Sequence, residues 1–370
     1  MINRALYFHL VVFICSCSQH KKTINSDNSN ILTFSEQIVI EEYGAYHLVK
    51  LKDQNAWTEF VLYNTSIPDH IDQNNSLVKI KVPVESIVSN STTHLSFLEA
   101  LGSMKILKGF AQTNFISSQL IIERVENGDI IEIGNNTQLN VEEIININPQ
   151  LVLTSGMQGK NGLKTQLNSM GINIMGIADF SENSLLGKTE WIKFFGYLVG
   201  KEERAIDIFN EKVFAYDSLK KLVEPNLLPK VMSGSLYGGN WFLPGGENYN
   251  ATLIAESGGF YLWSDDKESG WLNLDFEVVY EKAHDADVWI GAASFSSLKE
   301  MNDVDERYSN FKAFKQSEIY TYTGRVNKAG ANDYFESGNM NPDRILADHI
   351  KILHPEILPN YELYYYTKLE

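Results

Sequence analysis

The 370-residue sequence has only two cysteines, Cys15 and Cys17, and both lie near its start. A disulfide between residues two apart would be badly strained, and two thiolates alone make an incomplete metal site. No cysteine follows Cys17, so the rest of the chain has no thiol to act as a nucleophile, a redox centre or a zinc ligand. Thiol chemistry is therefore excluded from the fold.

The chain is also poor in positive charge. Its 31 Lys and Arg residues stand against 47 Asp and Glu residues, which gives a formal net charge of −16 at pH 7. A nucleic-acid partner needs a basic patch that neutralises phosphates, and so acidic a balance excludes that general role. The same charge disfavours adsorption to anionic lipid, so any contact with a membrane must come from an anchor.

Motifs for catalysis and for metal binding are missing as well. The sequence contains neither the phosphate-binding pattern G-x-x-x-x-G-K-[ST] nor the nucleophile pattern G-x-S-x-G, and nothing nominates a general acid and base. No two of its eight histidines are three or four residues apart, the spacing of ligands on one helix face. We therefore expect a protein that is not an enzyme and binds no metal ion directly, unless distant residues converge on one.

The start of the chain has the features of a targeting segment. Arg4 is the only charge before an apolar run from about Leu6 to Ile14, which is typical of a secretory signal and too short to span a bilayer. The run ends in Ile-Cys-Ser-Cys, which resembles a bacterial lipoprotein signal. This resemblance implies that residues 1–16 are removed and that Cys17 carries the lipid, with polar residues 17–30 as a flexible tether. An ordinary secretory signal with stray cysteines is the alternative.

The remainder of the sequence predicts an α/β protein with two Rossmann-like lobes, each a mostly parallel sheet flanked by helices. β-like runs come first, and strand patterns then alternate with helix patterns. A helical pattern without Gly or Pro runs from about Glu202 to Leu222 and is roughly 30 Å long. We predict an N-terminal lobe with an extra β segment over 31–200, a linking helix over 201–224 and a C-terminal lobe over 225–370.

The two lobes repeat one segment in the same order. LNVEEIININPQLVL and LDFEVVYEKAHDADVWI each place a leucine before a helix cap, at Asn140 and at Asp275. A glutamate follows two residues after each cap, at Glu142 and at Glu277. Open parallel sheets bind ligands at the carboxyl ends of their strands, so two facing lobes predict a ligand cleft between them.

These segments resemble the helix-linked periplasmic substrate-binding proteins of ABC importers for ferric siderophores, haem and cobalamin. The likeness covers about residues 77–358 and is carried by ESIVSNSTTHLSFLEALGSMKILKGF, the two repeated segments, GKTEWIKFFGYLVGKEERA and DYFESGNMNPDRILADHIKILHPEILP. The last two, with the extra N-terminal β segment, are similar to a version found in lipoproteins of Bacteroidota.

The resemblance implies a lipid-anchored monomer in the cell envelope of a Gram-negative bacterium, facing the periplasm. It would have no cofactor of its own and would deliver a small-molecule metal chelate to the permease dimer of an ABC transporter. We predict an iron–siderophore ligand, with haem or cobalamin as alternatives. A surface lipoprotein that keeps the fold without transport is an alternative of another class.

Candidate ligand contacts follow the predicted strands. Loop aromatic side chains can stack on a flat conjugated ligand, and an arginine can pair with a carboxylate or catecholate, although several of the aromatics are expected to pack under the loops instead. For His94 a packing role is the expected one, and Trp191 is assigned to the core. The predicted contacts are Thr92, Thr93, Phe110, Met157, Gln158, Tyr237, Trp241, Phe242, Trp263, Trp271, Arg325, Asn332, Tyr334 and Phe335.

The repeated glutamates have a separate implied role. In the resembled family, one glutamate from each lobe forms a salt bridge with arginines of the two permease subunits, and Glu142 and Glu277 stand at the matching positions. A carboxylate at a helix N-terminus is stabilised in its charged form, which suits a docking contact. The alternative is that both glutamates only complement helix dipoles.

Overall fold

The structure is a computed structural model that describes residues 30–53, 56–135, 138–157, 160–223 and 228–370. Cys17, the predicted signal over 1–16 and Gln158 lie outside the described residues. Within these ranges, no helix combines the length and the apolar character that crossing a bilayer requires.

A small sheet precedes the first lobe. Its strands β1, β2 and β3 are antiparallel, and the last strand, β4, runs parallel to β3. Alternate residues such as Ile38, Ile40 and Val49 are buried against the first lobe, as expected for a sheet with one covered face. The elements are β1 (Ile38–Glu42), β2 (Tyr46–Asp53), β3 (Ala56–Tyr63), helix α1 (Asp69–Asp72) and β4 (Val78–Lys81).

Lobe one is a parallel sheet with the strand order β7-β6-β5-β8-β9. Its central strands are apolar throughout, as in Leu151, Val152 and Leu153, because helices cover both faces of the sheet. The elements are β5 (Ile87–Ser89), α2 (Thr92–Ala100), β6 (Leu107–Phe110), α3 (Gln119–Glu126), β7 (Ile131–Glu132), α4 (Val141–Ile147), β8 (Leu151–Ser155), α5 (Asn161–Ser169) and β9 (Asn173–Ile177).

Two successive helices lead from lobe one to lobe two: α6 (Leu185–Val199) and α7 (Glu202–Lys220). The Ser184 side chain caps the start of α6 by accepting a hydrogen bond from the Gly187 N–H. Gly200 ends α6 with a φ of 68°, a conformation that favours glycine, and α7 begins two residues later. Helix α7 occupies the position of the predicted linking helix, and Trp191 is fully buried in α6.

Two buried carboxylates of lobe one hold the segment that enters β1. Glu190 accepts hydrogen bonds from the backbone N–H groups of Thr33, Phe34 and Ser35 at 2.7–3.0 Å. Glu182 accepts from the next two N–H groups and from the Trp191 indole. The Phe34 side chain then packs against the cores of both lobes, as does Val213 of α7.

Lobe two contains a second, mostly parallel sheet of order β13-β10-β15-β16-β17, in which only the β16–β17 pair is antiparallel within the described ranges. A small antiparallel sheet of order β11-β12-β14 stands beside it. The elements are β10 (Lys230–Ser233), β11 (Ser235–Tyr237), β12 (Asn240–Pro244), α8 (Tyr249–Glu256), β13 (Phe260–Tyr261), β14 (Trp271–Leu274), α9 (Phe276–Ala283), β15 (Val288–Ile290), α10 (Leu298–Val304), α11 (Lys312–Lys315), β16 (Ile319–Thr321), α12 (Pro342–Leu353) and β17 (Thr367–Lys368). The predicted α/β fold with two lobes is confirmed.

Candidate ligand cleft

A segment of lobe two, residues 333–341, divides the space between the lobes. Phe335 and Asn339 face a cavity of about 360 Å³, which we call the cleft. Glu336 and Ser337 line a second cavity of about 670 Å³, which we call the Arg325 cavity. Neighbouring residues of one short segment therefore face two different spaces.

The cleft lies at the carboxyl ends of β5 and β9 of lobe one and is lined on its other side by lobe two. The loop after β5 supplies Ser91, Thr92 and Thr93, and lobe two supplies aromatic rings on β14, on the first turn of α8 and on the dividing segment. The Thr92 hydroxyl donates a 3.2 Å hydrogen bond to the carbonyl of Phe335 across the cleft. The remaining lining residues are Phe180, Leu185, Lys188, Tyr249, Trp271, Tyr334, Phe335, Asn339 and Ile345.

Several of these aromatic side chains are uncovered. Trp271 is 58% exposed, Phe180 is 53% exposed and Phe335 is 49% exposed. Large apolar groups gathered in one concave place are unusual on a soluble protein and mark a site that another molecule covers. Phe180 belongs to lobe one and the other two to lobe two, so both lobes contribute uncovered rings to this cavity.

Lys188 is the only charged side chain in the cleft lining among the described residues. It is 6% exposed, and burial lowers the pKa of its ammonium group. Its Nζ donates to the carbonyl of Phe180 at 2.8 Å and lies 4.6 Å from the centre of the Tyr249 ring. The buried carboxylates of Asp179 and Glu182 act in the opposite sense and raise that pKa, so the Lys188 charge is balanced in part within lobe one.

A smaller chamber, the inner pocket, opens from the cleft into lobe two. It has a volume of about 180 Å³ and shares Tyr249, Trp271, Tyr334 and Phe335 with the cleft. Its deeper walls come from the ends of β10 and β15 and from α12. The lining residues that it does not share with the cleft include Ser233, Phe242, Pro244, Ile254, Ile290, Tyr322, His349 and Tyr366.

The structure brings six of the predicted contacts to these two spaces. Thr92, Thr93, Trp271, Tyr334 and Phe335 line the cleft, and Phe242 lines the inner pocket. The prediction missed Phe180, Lys188 and Tyr249. Phe180 follows β9, so the rule that ligand residues follow strands would have found it, whereas Lys188 lies within a helix and gave no such signal.

Three predicted contacts are corrected, because they are core residues. Trp241 is fully buried among aromatic rings of lobe two, and its indole N–H donates to the carbonyl of Ser233. Phe110 is 1% exposed within the core of lobe one. Trp263 is buried against Tyr261 and does not line the cleft.

Three further predicted contacts lie away from the cleft. Met157 packs in the small core on one face of lobe one and accepts a hydrogen bond from Thr154. Tyr237 is exposed at the tip of the β11–β12 hairpin. The Asn332 side chain is used within its own loop, where it accepts from the Tyr334 N–H and donates to the Tyr322 carbonyl.

Arg325 is also corrected, since it lines the Arg325 cavity rather than the cleft. Its Nε donates to Asp333 at 2.6 Å, and its guanidinium group stacks on the ring of Tyr364. Lys212 in the same cavity pairs with Asp343 at 3.0 Å. This cavity is the larger of the two, but a ligand there would have to separate groups that already bind each other. The cleft, with its uncovered rings, is the better candidate.

The structure describes no metal centre beside the cleft. Within the described ranges, no three His, Cys, Asp or Glu side chains are grouped as ligands. His94 is buried, bonds through Nδ1 to the Ser89 hydroxyl at 2.7 Å and packs on Phe195. Burial lowers the pKa of His94 to about 4, so the ring is neutral at physiological pH and serves packing, as expected.

The repeated glutamates lie where the sequence places them, in the first turns of α4 and α9, and both are exposed. Asn140 caps α4 by accepting from the Glu143 N–H at 3.3 Å, whereas Asp275 forms no side-chain cap bond. Glu277 has a neighbour 3.8 Å away, the guanidinium of Arg307, and so exposed a pair contributes little to stability.

Comparisons with known proteins agree with this architecture. The chain is 27% identical over 300 residues to an uncharacterized lipoprotein of Methanocaldococcus jannaschii, a match that covers 78% of this chain and 70% of the relative. A possible iron-binding, periplasmic solute-binding protein of Staphylococcus epidermidis superposes with a TM-score of 0.59 at 18% identity, over 73% of this chain and 98% of that one. The periplasmic heme-binding protein HutB of Vibrio cholerae superposes with a TM-score of 0.56 at 16% identity, over 71% and 97% of the two chains. The family model described as periplasmic binding protein matches residues 87–326, and the chain belongs to that family.

Proposed function

We propose that the protein captures an iron–siderophore-type chelate in the cleft and delivers it to the permease of an ABC importer. The observation that carries this proposal is the wall of the cleft. Exposed rings of Phe180, Trp271 and Phe335 from both lobes surround a pocket whose only charged lining group among the described residues is the Lys188 ammonium. Such a wall suits a bulky, partly aromatic, anionic ligand that carries its own metal ligands.

The solved neighbours point in the same direction. One is named as a possible iron-binding protein and another as a heme-binding protein, and both share the two-lobe architecture. At these identities the likeness extends to the fold alone, so the choice of ligand rests on the cleft.

In this proposal the protein is a carrier and not an enzyme. A lipid on Cys17 would anchor it in the cell envelope, facing the periplasm, and a relative in Methanocaldococcus jannaschii is named a lipoprotein. Glu142 and Glu277 would contact the two permease subunits, one from each lobe. Their exposure and their place on rigid helix ends support this role.

Protein purified from its own host tests the ligand directly. Native mass spectrometry and absorption spectra should show a bound chelate with a ferric charge-transfer band. A Soret band would identify haem and a corrin spectrum would identify cobalamin, and either result would replace the siderophore assignment. Protein that carries none of these and binds no ferric chelate, hemin or cobalamin in titrations would refute a transport role.

The Lys188→Met variant tests how the ligand is held. Methionine keeps the length of the side chain and removes the charge, so the affinity for an anionic ferric chelate should fall about tenfold or more, as when one partner of a buried charge pair is removed. The Lys221→Met variant, which removes an exposed charge at the end of α7, is the matched control and should bind normally. Equal affinity in the two variants would remove Lys188 from the site.

A further inference from the structure

The inner pocket contains a buried side chain whose hydrogen-bonding groups are unused. His349 of α12 is 1% exposed and lines this pocket. Neither of its ring nitrogens has a hydrogen-bond partner among the described residues. Buried polar groups are almost always paired in folded proteins, so an unpaired imidazole at the wall of a pocket indicates a missing partner.

The surroundings of His349 fix its chemical state. Burial lowers the pKa of its imidazole to about 3, so the ring is neutral and offers one N–H donor and one nitrogen acceptor. The Tyr366 ring meets it edge-on, with the ring centres 4.9 Å apart. No charged side chain lines the inner pocket in the described part of the chain. A charged group placed there would lose its water without gaining a counter-ion, so the occupant must be uncharged.

The inner pocket has room for about one aromatic ring, and its walls suit such a ring. A dry cavity of about 150 Å³ lined by apolar side chains holds a benzene molecule, and the inner pocket measures about 180 Å³. Its walls combine the rings of Phe242, Tyr322 and Tyr334 with the apolar side chains of Ile254 and Ile290. Aromatic rings pack well against such walls in edge-on or offset arrangements. The polar side chains of the lining are the Asn250 carboxamide, several hydroxyl groups and the His349 imidazole, whose two nitrogens have no partner among the described residues.

We propose that the inner pocket is a subsite for a single uncharged aromatic ring that carries a hydroxyl group, with His349 as its hydrogen-bonding partner. A hydroxyl both donates and accepts, which matches a neutral imidazole. The idea that one phenolic arm of a larger ligand enters lobe two at this subsite rests on the proposed function. The idea that a free phenol binds there rests on the geometry of the pocket alone.

Phenol itself is the probe, and benzene is the matched probe without a hydroxyl. Titrations of the full folded chain, followed by the ring ¹⁵N signals of the histidines, should show saturable shifts at His349 with phenol. His284, which is exposed at the end of α9, is the internal control and should not shift. Phenol should bind about five times more tightly than benzene, the effect of roughly one hydrogen bond.

Two variants test separately the hydrogen bond to His349 and the space available in the inner pocket. His349→Phe keeps a flat ring but removes both nitrogens, so it should lose the preference for phenol over benzene. Phe242→Trp narrows the inner pocket from a partly exposed strand position and should weaken the binding of both probes, which keeps a test available if His349→Phe does not fold. His284→Phe should change neither.

The outcomes distinguish this subsite from the proposed function. If no phenol binds up to its solubility limit, if phenol and benzene bind equally, or if the His349 nitrogens bond only to trapped water, the subsite is refuted even when ferric chelates bind the cleft. If phenol binds with the stated preference but no chelate, hemin or cobalamin binds, the subsite stands and the transport role fails.

Discussion

The side-chain carboxylate of Glu336 in lobe two accepts a hydrogen bond of 2.7 Å from the backbone N–H of Ser117 in lobe one. Its other oxygen accepts a 2.8 Å hydrogen bond from the N–H of Ser118, the residue directly before α3. Burial raises the pKa of Glu336 to about 7, although both N–H groups favour the charged form. A group that titrates near neutral pH therefore links the two lobes.

This link predicts a pH-dependent stability. The pKa of Glu336 in the folded protein, about 7, lies above its ordinary value of 4.5, so the folded state holds this proton more tightly than the unfolded state. The contribution is fully present below about pH 4.5 and is lost as the pH rises through about 7. It amounts to roughly 3 kcal/mol at most in the free energy of unfolding.

Urea unfolding at a series of pH values between about 5 and 8 measures this effect. Glu336→Gln should lower stability throughout but should flatten the decline toward high pH. Glu126→Gln, an exposed change at the end of α3 that is not among the charges acting on Glu336, should keep the slope of the wild type. Burial lowers the pKa values of His94 and His349 to about 4 and about 3, so their contribution to stability changes in the opposite direction as the pH falls. Both histidines are present in the wild type and in each variant, so this contribution cancels when the slopes are compared. An unchanged slope in Glu336→Gln would contradict the assignment.

Two tryptophans of lobe two should respond differently to substitution by alanine. Trp271→Ala removes an exposed ring from the cleft, so ligand affinity should fall while the free energy of unfolding stays nearly unchanged. Trp241→Ala leaves a cavity in a fully packed aromatic core and should cost about 3–5 kcal/mol of stability. Thermal unfolding and a fluorescence titration with a ferric chelate measure both quantities. If Trp271→Ala binds as well as the wild type, the exposed rings are not the contact surface.

The proposed docking role of Glu142 and Glu277 can be tested apart from the proposed capture of a ligand. The double variant Glu142→Ala with Glu277→Ala should bind the ligand normally, because both residues lie outside the cleft, and should abolish uptake in cells that carry the partner permease. Glu143→Ala, a neighbour on the same first turn of α4, is the matched control and should transport normally. Uptake that survives the double change would leave both glutamates as helix-dipole partners only.

Ligand capture should move the lobes only slightly. Helix α7 is continuous over Glu202–Lys220, and the Thr92–Phe335 and Ser117–Glu336 hydrogen bonds already connect the lobes beside it. Closure about a stiff helix is smaller than closure about extended strands. Small-angle scattering with and without ligand should give nearly superimposable curves. A large decrease in the radius of gyration on binding would show that α7 is not a rigid connection.

The sequence predicted the architecture well because the architecture depends on periodic patterns. The alternation of strand and helix patterns and the uninterrupted run after Glu202 all follow from local rules of burial and capping. The repeated segment around Glu142 and Glu277 added the correspondence between the lobes. None of these inferences needed knowledge of distant contacts.

The site was predicted less completely, because the position after a strand does not decide which way a side chain faces. Trp241 and Trp271 lie on neighbouring strands of one small sheet, yet Trp241 is buried and Trp271 is exposed. Arg325 is drawn away from the cleft by Asp333, eight residues later in the same loop. Lys188 and Tyr249 come from helices, and only the packing of the two lobes brings them to one cavity.

The packing of Phe34 and Val213 against both cores has a thermodynamic consequence. If these side chains contacted one lobe only, each lobe could melt independently at its own temperature. Because both cores lose apolar contacts when either lobe opens, part of the free energy of unfolding is common to the two, and heat should disrupt them in one cooperative transition. The stability of lobe two thus depends partly on Phe34, a residue that precedes β1.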